Sequence, residues 1–420
     1  MSYTLTLFYP ITQTDLRMSQ LAFLCIATFH KGQDFLRACK ELGNTVYLLT
    51  DQKLANADWP RDSIDDIFYL TSPSNAPYDL EKMITGLAHV MRSRQIDRVV
   101  ALDDFDVEKG ALIRETFRID GMGQTTARYF RDKMAMRTRA AAAGIRVPAF
   151  SPIFHDETVT HFLQTTEAPW LIKPRSEAST TGIRKVHSLD EAWSVIHSLG
   201  DNRHEYLVEC FKPGRVYHVD ALSLDGKAVF TRVSQYLATP MEVAHGGGVF
   251  RTGTLPDDTP EVTALRQFNN EVLDAFGMRH SASHSEYIRG DHDGELYFLE
   301  TASRVGGAHI AEMVEAASGV NLWREWARLE NAVARKEHYV PPTDEPNQAG
   351  LIVSLARQQW PDLSGFVDNE ICWRINKEYH VGLIVRSHDR TRILALLDDY
   401  MNRIYSDFHA SAPVPDKAVS

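Results

Sequence analysis

Apolar and polar positions divide the chain into readable blocks. LAFLCIATF (Leu21 to Phe29) is a continuous apolar run of strand length. HKGQDFLRACKELG follows, with apolar residues at helical spacing and a stop at Gly43. NTVYLLTD is the next strand, so the fold opens with a strand–helix–strand unit, which implies parallel pairing. DRVVALDDFD (Asp97 to Asp106) is another strand, ending in acids, and VEKGALIRETF is the helix after it. From Thr125 the character changes. TTARYFRDKMAMRTRAAAAGIRVPAF reads as a long helix and a short strand, and APWLIKPRSEASTTGIRKVHS as strand, loop, strand. EYLVECFKPGRVYHVDALSLDGKAVF reads as two strands around a Pro-Gly turn, and YLATPMEVAHGGGVFRTGTLP as a Gly-rich connection. A helix from Glu261 to Phe276 precedes a hairpin, SHSEYI and ELYFLET, joined by RGDHDG; a helix from about Ala308 to Ser318 follows. VPPTDEPNQ (Val340 to Gln348) is a linker by composition. Beyond it GLIVSLARQ, EICWRI and HVGLIVRS are strands, and TRILALLDDYMNRIYSDF is a closing helix. The predicted class is α/β at the start, α+β in the middle and strand-rich at the end.

Composition narrows the function classes. At 420 residues the chain is long enough for two or three domains, and 44% apolar content supplies a large core. The formal net charge of −11 argues against nucleic acid or an anionic membrane as the main partner. No apolar run reaches the ~20 residues of a membrane span, and MSYTLTLFYPITQTDLRMSQ has neither the basic start nor the cleavage site of a secretory signal. Cys25, Cys39, Cys210 and Cys372 are widely spread and fit reduced thiols, so a cytoplasmic location is expected.

The hairpin raises the chemistry. Glu286 lies in its first strand and Glu300 in its second. With Glu286 opposite Phe298, His284 falls opposite Glu300 and both acids share a face. Two carboxylates on one half-buried face repel unless a cation separates them, and a hard divalent ion with oxygen ligands suits them. Two solvent-facing acids are the ordinary alternative. Arg304 and the Gly306–Gly307 pair point instead to a place where a guanidinium and backbone approach an anion. Upstream, Lys173 sits inside the apolar strand WLIKP, where an ammonium needs solvent or an anion. The small, hydroxyl-rich loop from Ser176 to Gly182 can fold its N–H groups over phosphate oxygens, or can be a plain surface loop. Lys133, by itself, reads as part of a solvated helix face. Asp103, Asp104 and Glu108 stand at the carboxyl end of a parallel strand, where open α/β sheets bind ligands, although helix capping is the commoner use. HKGQ has one Gly where a dinucleotide fingerprint needs three, so no nicotinamide or flavin site is read.

In order and spacing these segments resemble the ATP-grasp superfamily over about Gln124 to Trp323. The resemblance implies an N-terminal α/β domain (1–123), a two-lobed nucleotide-binding domain (124–330) and a C-terminal β-rich domain (331–420). It makes Lys133 and Lys173 the ATP lysines, and Ser179, Thr180, Thr181 and Gly182 the core of the mobile phosphate loop. It makes Glu209, Cys210 and Phe211 the adenine hinge, and Glu286 and Glu300 the acids for Mg2+, with Mn2+ as the alternative ion. Two positions depart from the wider family: Ala302 stands where many members have Asn, and Val216 where many have the acid that reaches the ribose. An acid followed four residues later by Arg and then Gly-Gly is similar to the L-amino acid ligases of the bacilysin synthetase type. That likeness gives Arg304 the acyl-phosphate oxyanion, puts Gly307 near the substrate, and makes Glu242 and His245 of MEVAHGGG candidates for handling the amine. The function implied is ATP-dependent ligation of a carboxylate to an amine, on amino acids, through an acyl phosphate. The partners implied are those small molecules and ATP, with a homodimer as a family-level expectation. A bicarbonate-activating ATP-grasp enzyme and an ATP-binding module without turnover are the alternatives, the latter drawing on Ala302.

Overall fold

The computed structural model describes residues 20–72, 77–177 and 181–411, and only the backbone of 244–246. The chain opens with β1 (Ala22–Ala27), α1 (Gln33–Glu41), β2 (Thr45–Asp51), β3 (Asp66–Leu70), α2 (Leu80–Val90), β4 (Arg98–Ala101) and α3 (Val107–Phe117). All six residues of β1 are buried, which explains a strand written without polar alternation. The four strands pair in parallel in the order β3-β2-β1-β4. The carboxyl end of β4 therefore points Asp103 and Asp104 toward whatever packs above this sheet.

The long helix expected from Thr125 is two helices, α4 (Gln124–Arg128) and α5 (Lys133–Ala142). The break comes from Asp132, whose side chain accepts from Met134 N at 2.9 Å and caps the second helix. Capping places Lys133 at the first helical position, beside the site rather than on a free face.

A small antiparallel sheet follows in the order β5-β8-β6-β7. It is formed by β5 (Phe150–Pro152), β6 (Trp170–Pro174), β7 (Arg184–Val186) and β8 (Tyr206–Cys210), with α6 (Asp156–Thr165) and α7 (Leu189–Ser198) packed on it. Neither helix was anticipated as a separate element. The two strands expected around one Pro-Gly turn part company here. β8 stays in the small sheet, while β9 (Gly214–Leu224) joins a large antiparallel sheet ordered β13-β12-β9-β10-β11-β14-β16-β15.

That sheet contains β10 (Lys227–Tyr236), β11 (Phe250–Thr254), β12 (Ser281–Gly290), β13 (Leu296–Ala302), β14 (Gln348–Leu355), β15 (Ile371–Arg374) and β16 (His380–Ser387). The strands after the linker extend it through β11 and β14. Asp225 and Gly226 turn β9 into β10 with φ of 51° and 80°, the left-handed pair that a two-residue hairpin loop demands. The Gly-rich connection holds a short helix, α8 (Pro240–Gly246), besides β11. α9 (Pro260–Phe276) covers one face of the large sheet, against Tyr217, Val233, Tyr287 and Phe298. α10 (Ile310–Ser318) and α11 (Leu322–Arg335) cover the other, where the Trp326 ring meets Phe35 of α1 edge-on at 5.2 Å. α12 (Arg390–Asp407) packs under the C-terminal strands.

Candidate active site

A cavity of about 1180 Å³ opens between the small and large sheets. Lys133, Lys173, Thr181, Gly182, Glu209, Cys210, Phe211, Glu242, Glu286 and Glu300 all line it. Residues separated by more than a hundred positions in sequence thus converge on one space. Lys185 also lines it, with its ammonium 3.6 Å from the Phe211 ring centroid.

The lysines are held by carboxylates. Lys173 projects from β6 to Glu209 on the adjacent strand β8, and Glu209 Oε2 also accepts from Arg137 Nε at 2.9 Å. All three residues are buried. Burial pushes the Lys173 ammonium down to about 8, against the pull of Glu209. Burial also opposes the charge on Glu209, yet Arg137 and Lys173 outweigh it and hold the carboxyl below its ordinary value. Arg137, one turn after Lys133 on α5, was not anticipated; the i,i+4 spacing in KMAMR was its signal. Lys133 Nζ pairs with Glu300 Oε2 at 2.9 Å and donates to the Glu177 carbonyl at 2.7 Å. The segment after β6 is thereby tied to α5, and Lys133 N donates to the Arg175 carbonyl at 2.8 Å. Ser179 and Thr180 lie outside the described residues.

The hairpin register differs from the one expected. Glu286 pairs directly with Glu300, His284 with Ala302, and Tyr287 with Phe298. The pairing at the acids is displaced by two residues from the expected one, which keeps both on one face, and a bulge at Leu299 then takes up one residue, so Phe298 turns into the core while Leu299 and Glu300 both line the cavity. The two acids therefore share a face as directly opposed neighbours. Glu286 Oε1 accepts from the Tyr236 hydroxyl at 2.7 Å. Burial opposes the charge of Glu300, and Lys133 more than compensates, holding its carboxyl low. Each acid keeps an oxygen free of these contacts. Two carboxylates with hard oxygen donors beside a cavity fit a small divalent cation that completes its shell with phosphate and water.

Arg304 lies just beyond β13, half-buried and not among the residues lining the cavity, with Nε and Nη2 donating to Asp104 Oδ2 at 3.0 and 2.7 Å and Nη1 to the Val305 carbonyl at 3.0 Å. Of the acids flagged at the end of β4, Asp104 thus reaches the large sheet. Asp103 caps the turn through Phe105 N at 3.2 Å and pairs with Lys31, and Glu108 pairs with Arg128 at 3.3 Å near the surface. Gly307 faces open space. At Gly306 a Cβ would stand 2.7 Å from Asp220 Oδ1 and 3.1 Å from His284 Nδ1, so the first glycine of the pair is needed for close approach. Glu242 borders the cavity, but its carboxylate closes a capping box at the start of α8, accepting from Thr239 N at 2.8 Å. His245 is on the same helix, and its side chain lies outside the described residues. Val216 is buried and packs with Tyr236 and Ile288. Among the described residues no helix is long and apolar enough to cross a membrane.

No protein-family model matches the chain. It is 26% identical over 312 residues, 70% of this chain and 74% of the relative, to an L-arginine-specific L-amino acid ligase of Bacillus subtilis. Among solved structures, an L-amino acid ligase from Bacillus licheniformis superposes with a TM-score of 0.72 at 16% identity, covering 93% of this chain and 98% of that one. An N5-carboxyaminoimidazole synthetase from Staphylococcus aureus, complexed with ADP, gives 0.68 at 12% identity over 92% and 98%. A phosphoribosylglycinamide synthetase from Anaerococcus prevotii gives 0.65 at 15% over 94% and 100%. With two sheets closing on a cavity lined by lysines and paired acids, the chain has the ATP-grasp fold and is similar to the L-amino acid ligases.

Proposed function

We propose that the protein is an ATP-dependent ligase that joins the carboxylate of one amino acid to the amine of another, releasing ADP and phosphate. The observation that carries this is the convergence of Lys133, Lys173, Glu286 and Glu300 on one cavity between the sheets. A free carboxylate does not acylate an amine near neutral pH, because its leaving group would be oxide. If its oxygen first attacks the γ-phosphorus of ATP and ADP departs, the carbonyl acquires phosphate as leaving group. The amine then attacks the carbonyl carbon, and phosphate leaves with one former carboxylate oxygen.

In this reading Lys133 and Lys173 exchange their carboxylate partners for phosphate oxygens when ATP binds. Glu286 and Glu300 would hold Mg2+, with Mn2+ as the alternative, and the ion would neutralise phosphate charge. Glu209 orients Lys173, while backbone at Cys210 and Phe211 borders the adenine. Ser179, Thr180, Thr181 and Gly182 are assigned to the phosphates, where exclusion of water would protect the acyl phosphate. Arg304, oriented by Asp104, retains donors for the substrate carboxylate and the charge on its transition state, with Gly307 leaving space beside it. Removing such a donor typically costs ~3–4 kcal/mol of transition-state stabilisation. Glu242, which uses one oxygen in its cap, and His245 are the candidates to take the amine proton.

The test is phosphate release from MgATP over pairs of amino acids, arginine included, with mass spectrometry of the products. Release confined to particular pairs, with ADP and a dipeptide, supports the ligase. ATP binding with silence across the panel moves the reading to a module without turnover, and turnover with bicarbonate and no amine to a carboxylating enzyme.

A further inference from the structure

Behind Glu286 the large sheet contains a chain of polar side chains that the reaction above does not use. Thr252 on β11, Tyr236 on β10, His218 and Asp220 on β9, and His284 on β12 are all buried. Thr252 Oγ1 donates to the Gln235 carbonyl at 3.0 Å and accepts from His218 Nε2 at 2.8 Å. His218 Nδ1 meets Asp220 Oδ2 at 2.7 Å, and His284 Nδ1 meets Asp220 Oδ1 at 2.8 Å. At the end of the chain His284 Nε2 stands 3.7 Å from Glu286 Oε1, the oxygen that also accepts from the Tyr236 hydroxyl at 2.7 Å.

Two features argue that this chain serves Glu286 and not the core. Apolar residues of the same volume would fill the sheet at no greater cost, since buried polar groups gain little net stability even when satisfied. Here both oxygens of Asp220 and both nitrogens of His218 are committed, which leaves the last ring a single orientation. The backbone also makes room for it, because at Gly306 any Cβ would press on Asp220 and His284. This arrangement sets one hydrogen-bonded hydroxyl, from Tyr236, and one nearby ring, that of His284, beside the same oxygen of Glu286, with the other oxygen left uncommitted beside the cavity.

We propose that Tyr236 and the Asp220–His284 pair are positioning residues for Glu286, fixing one carboxylate oxygen so that the other is presented to a divalent cation. This rests on the reading of Glu286 as a metal acid. Partners behind a ligating carboxylate or imidazole typically change metal affinity by roughly 10–100-fold when removed.

The experiment is Mn2+ binding to the full chain with a non-hydrolysable ATP analogue, followed by electron paramagnetic resonance of the free ion. Tyr236→Phe removes the hydroxyl and keeps the ring. It is expected to raise the Mn2+ dissociation constant about tenfold or more, with analogue affinity in the absence of metal and thermal unfolding both unchanged. His284→Gln is expected to act in the same direction, and an effect on unfolding alone would mark that residue as merely structural. Mn2+ binding by Tyr236→Phe equal to that of the parent overturns the proposal. If Glu286→Gln also binds Mn2+ like the parent, the metal-acid reading fails with it; if Glu286→Gln loses the ion while Tyr236→Phe does not, only the positioning role fails.

Discussion

Replacing Lys173 with Met tests the nucleotide site where the structure makes the outcome calculable. Met keeps most of the lysine's apolar volume in β6 and removes the ammonium. Glu209 is not left alone, because Arg137 Nε remains 2.9 Å away, and burial already penalises the ammonium it loses. Folding should therefore survive, with the unfolding temperature shifted by only a few degrees. What disappears is a charge-assisted hydrogen bond to phosphate, worth ~1.5–3 kcal/mol, so the dissociation constant for ATP should rise about ten- to hundredfold. The pH profile gives a second handle. In the free protein the Lys173 ammonium is held down to about 8, so it is charged below that pH and neutral above it. ATP binding favours the charged form, so affinity of the parent should fall as pH rises through about 8, with a proton taken up on binding above it. Lys173→Met should lack that fall. Calorimetric titration in buffers of different ionisation enthalpy measures both quantities. Equal affinity in parent and variant, or the same decline above pH 8 in both, would refute the assignment of Lys173 to phosphate.

Other substitutions probe separate parts of the site. Arg304→Ala should lower turnover by ~10²–10³-fold with ATP affinity kept, measured by coupled ADP release. Glu300→Gln should abolish turnover while circular dichroism stays native; full turnover in either variant would remove that residue from the mechanism. Glu209→Gln strands Lys173 and Arg137 as buried cations and should cost ~3–5 kcal/mol in thermal unfolding, part of which saturating ATP restores by engaging Lys173. Gly306→Ala sets a methyl 2.7 Å from Asp220 Oδ1; it should lower both the unfolding temperature and turnover, and a silent substitution would show that this contact yields freely.

Much of this was legible because strands with both faces covered write themselves as apolar runs. AFLCIA and WLIKP needed no context to be read as strands, and a lone lysine in the second stood out as a group in need of an anion. Order along the chain then linked Lys133, Lys173, Glu286 and Glu300. The shared face of the two acids was legible from alternation, but the hairpin register was not, because a two-residue slip preserves that face and the bulge at Leu299 leaves no mark in composition. The break before Lys133 was legible in principle, since Asp132 is a good cap, but it was masked by strong helix formers on both sides. His218 and Asp220 did leave a signal, two polar residues two apart in YHVDALSL, on one face of an otherwise apolar strand. Their partner His284 sits two strand positions before Glu286, and only the pairing of β9 with β12 brings the three together. Arg304 read as a free guanidinium aimed at an anion. Its grip on Asp104 could not be foreseen, because the two lie 200 residues apart.

The central claim is that a carboxylate is activated as an acyl phosphate before an amine displaces the phosphate. The most direct measurement supplies the amino acid with its carboxylate enriched in heavy oxygen, lets ligation run with MgATP, and weighs the released phosphate by mass spectrometry. The account predicts one heavy oxygen in each phosphate, formed in equal amount with ADP and the amide. Phosphate without label, or label carried into AMP with pyrophosphate released, would contradict it.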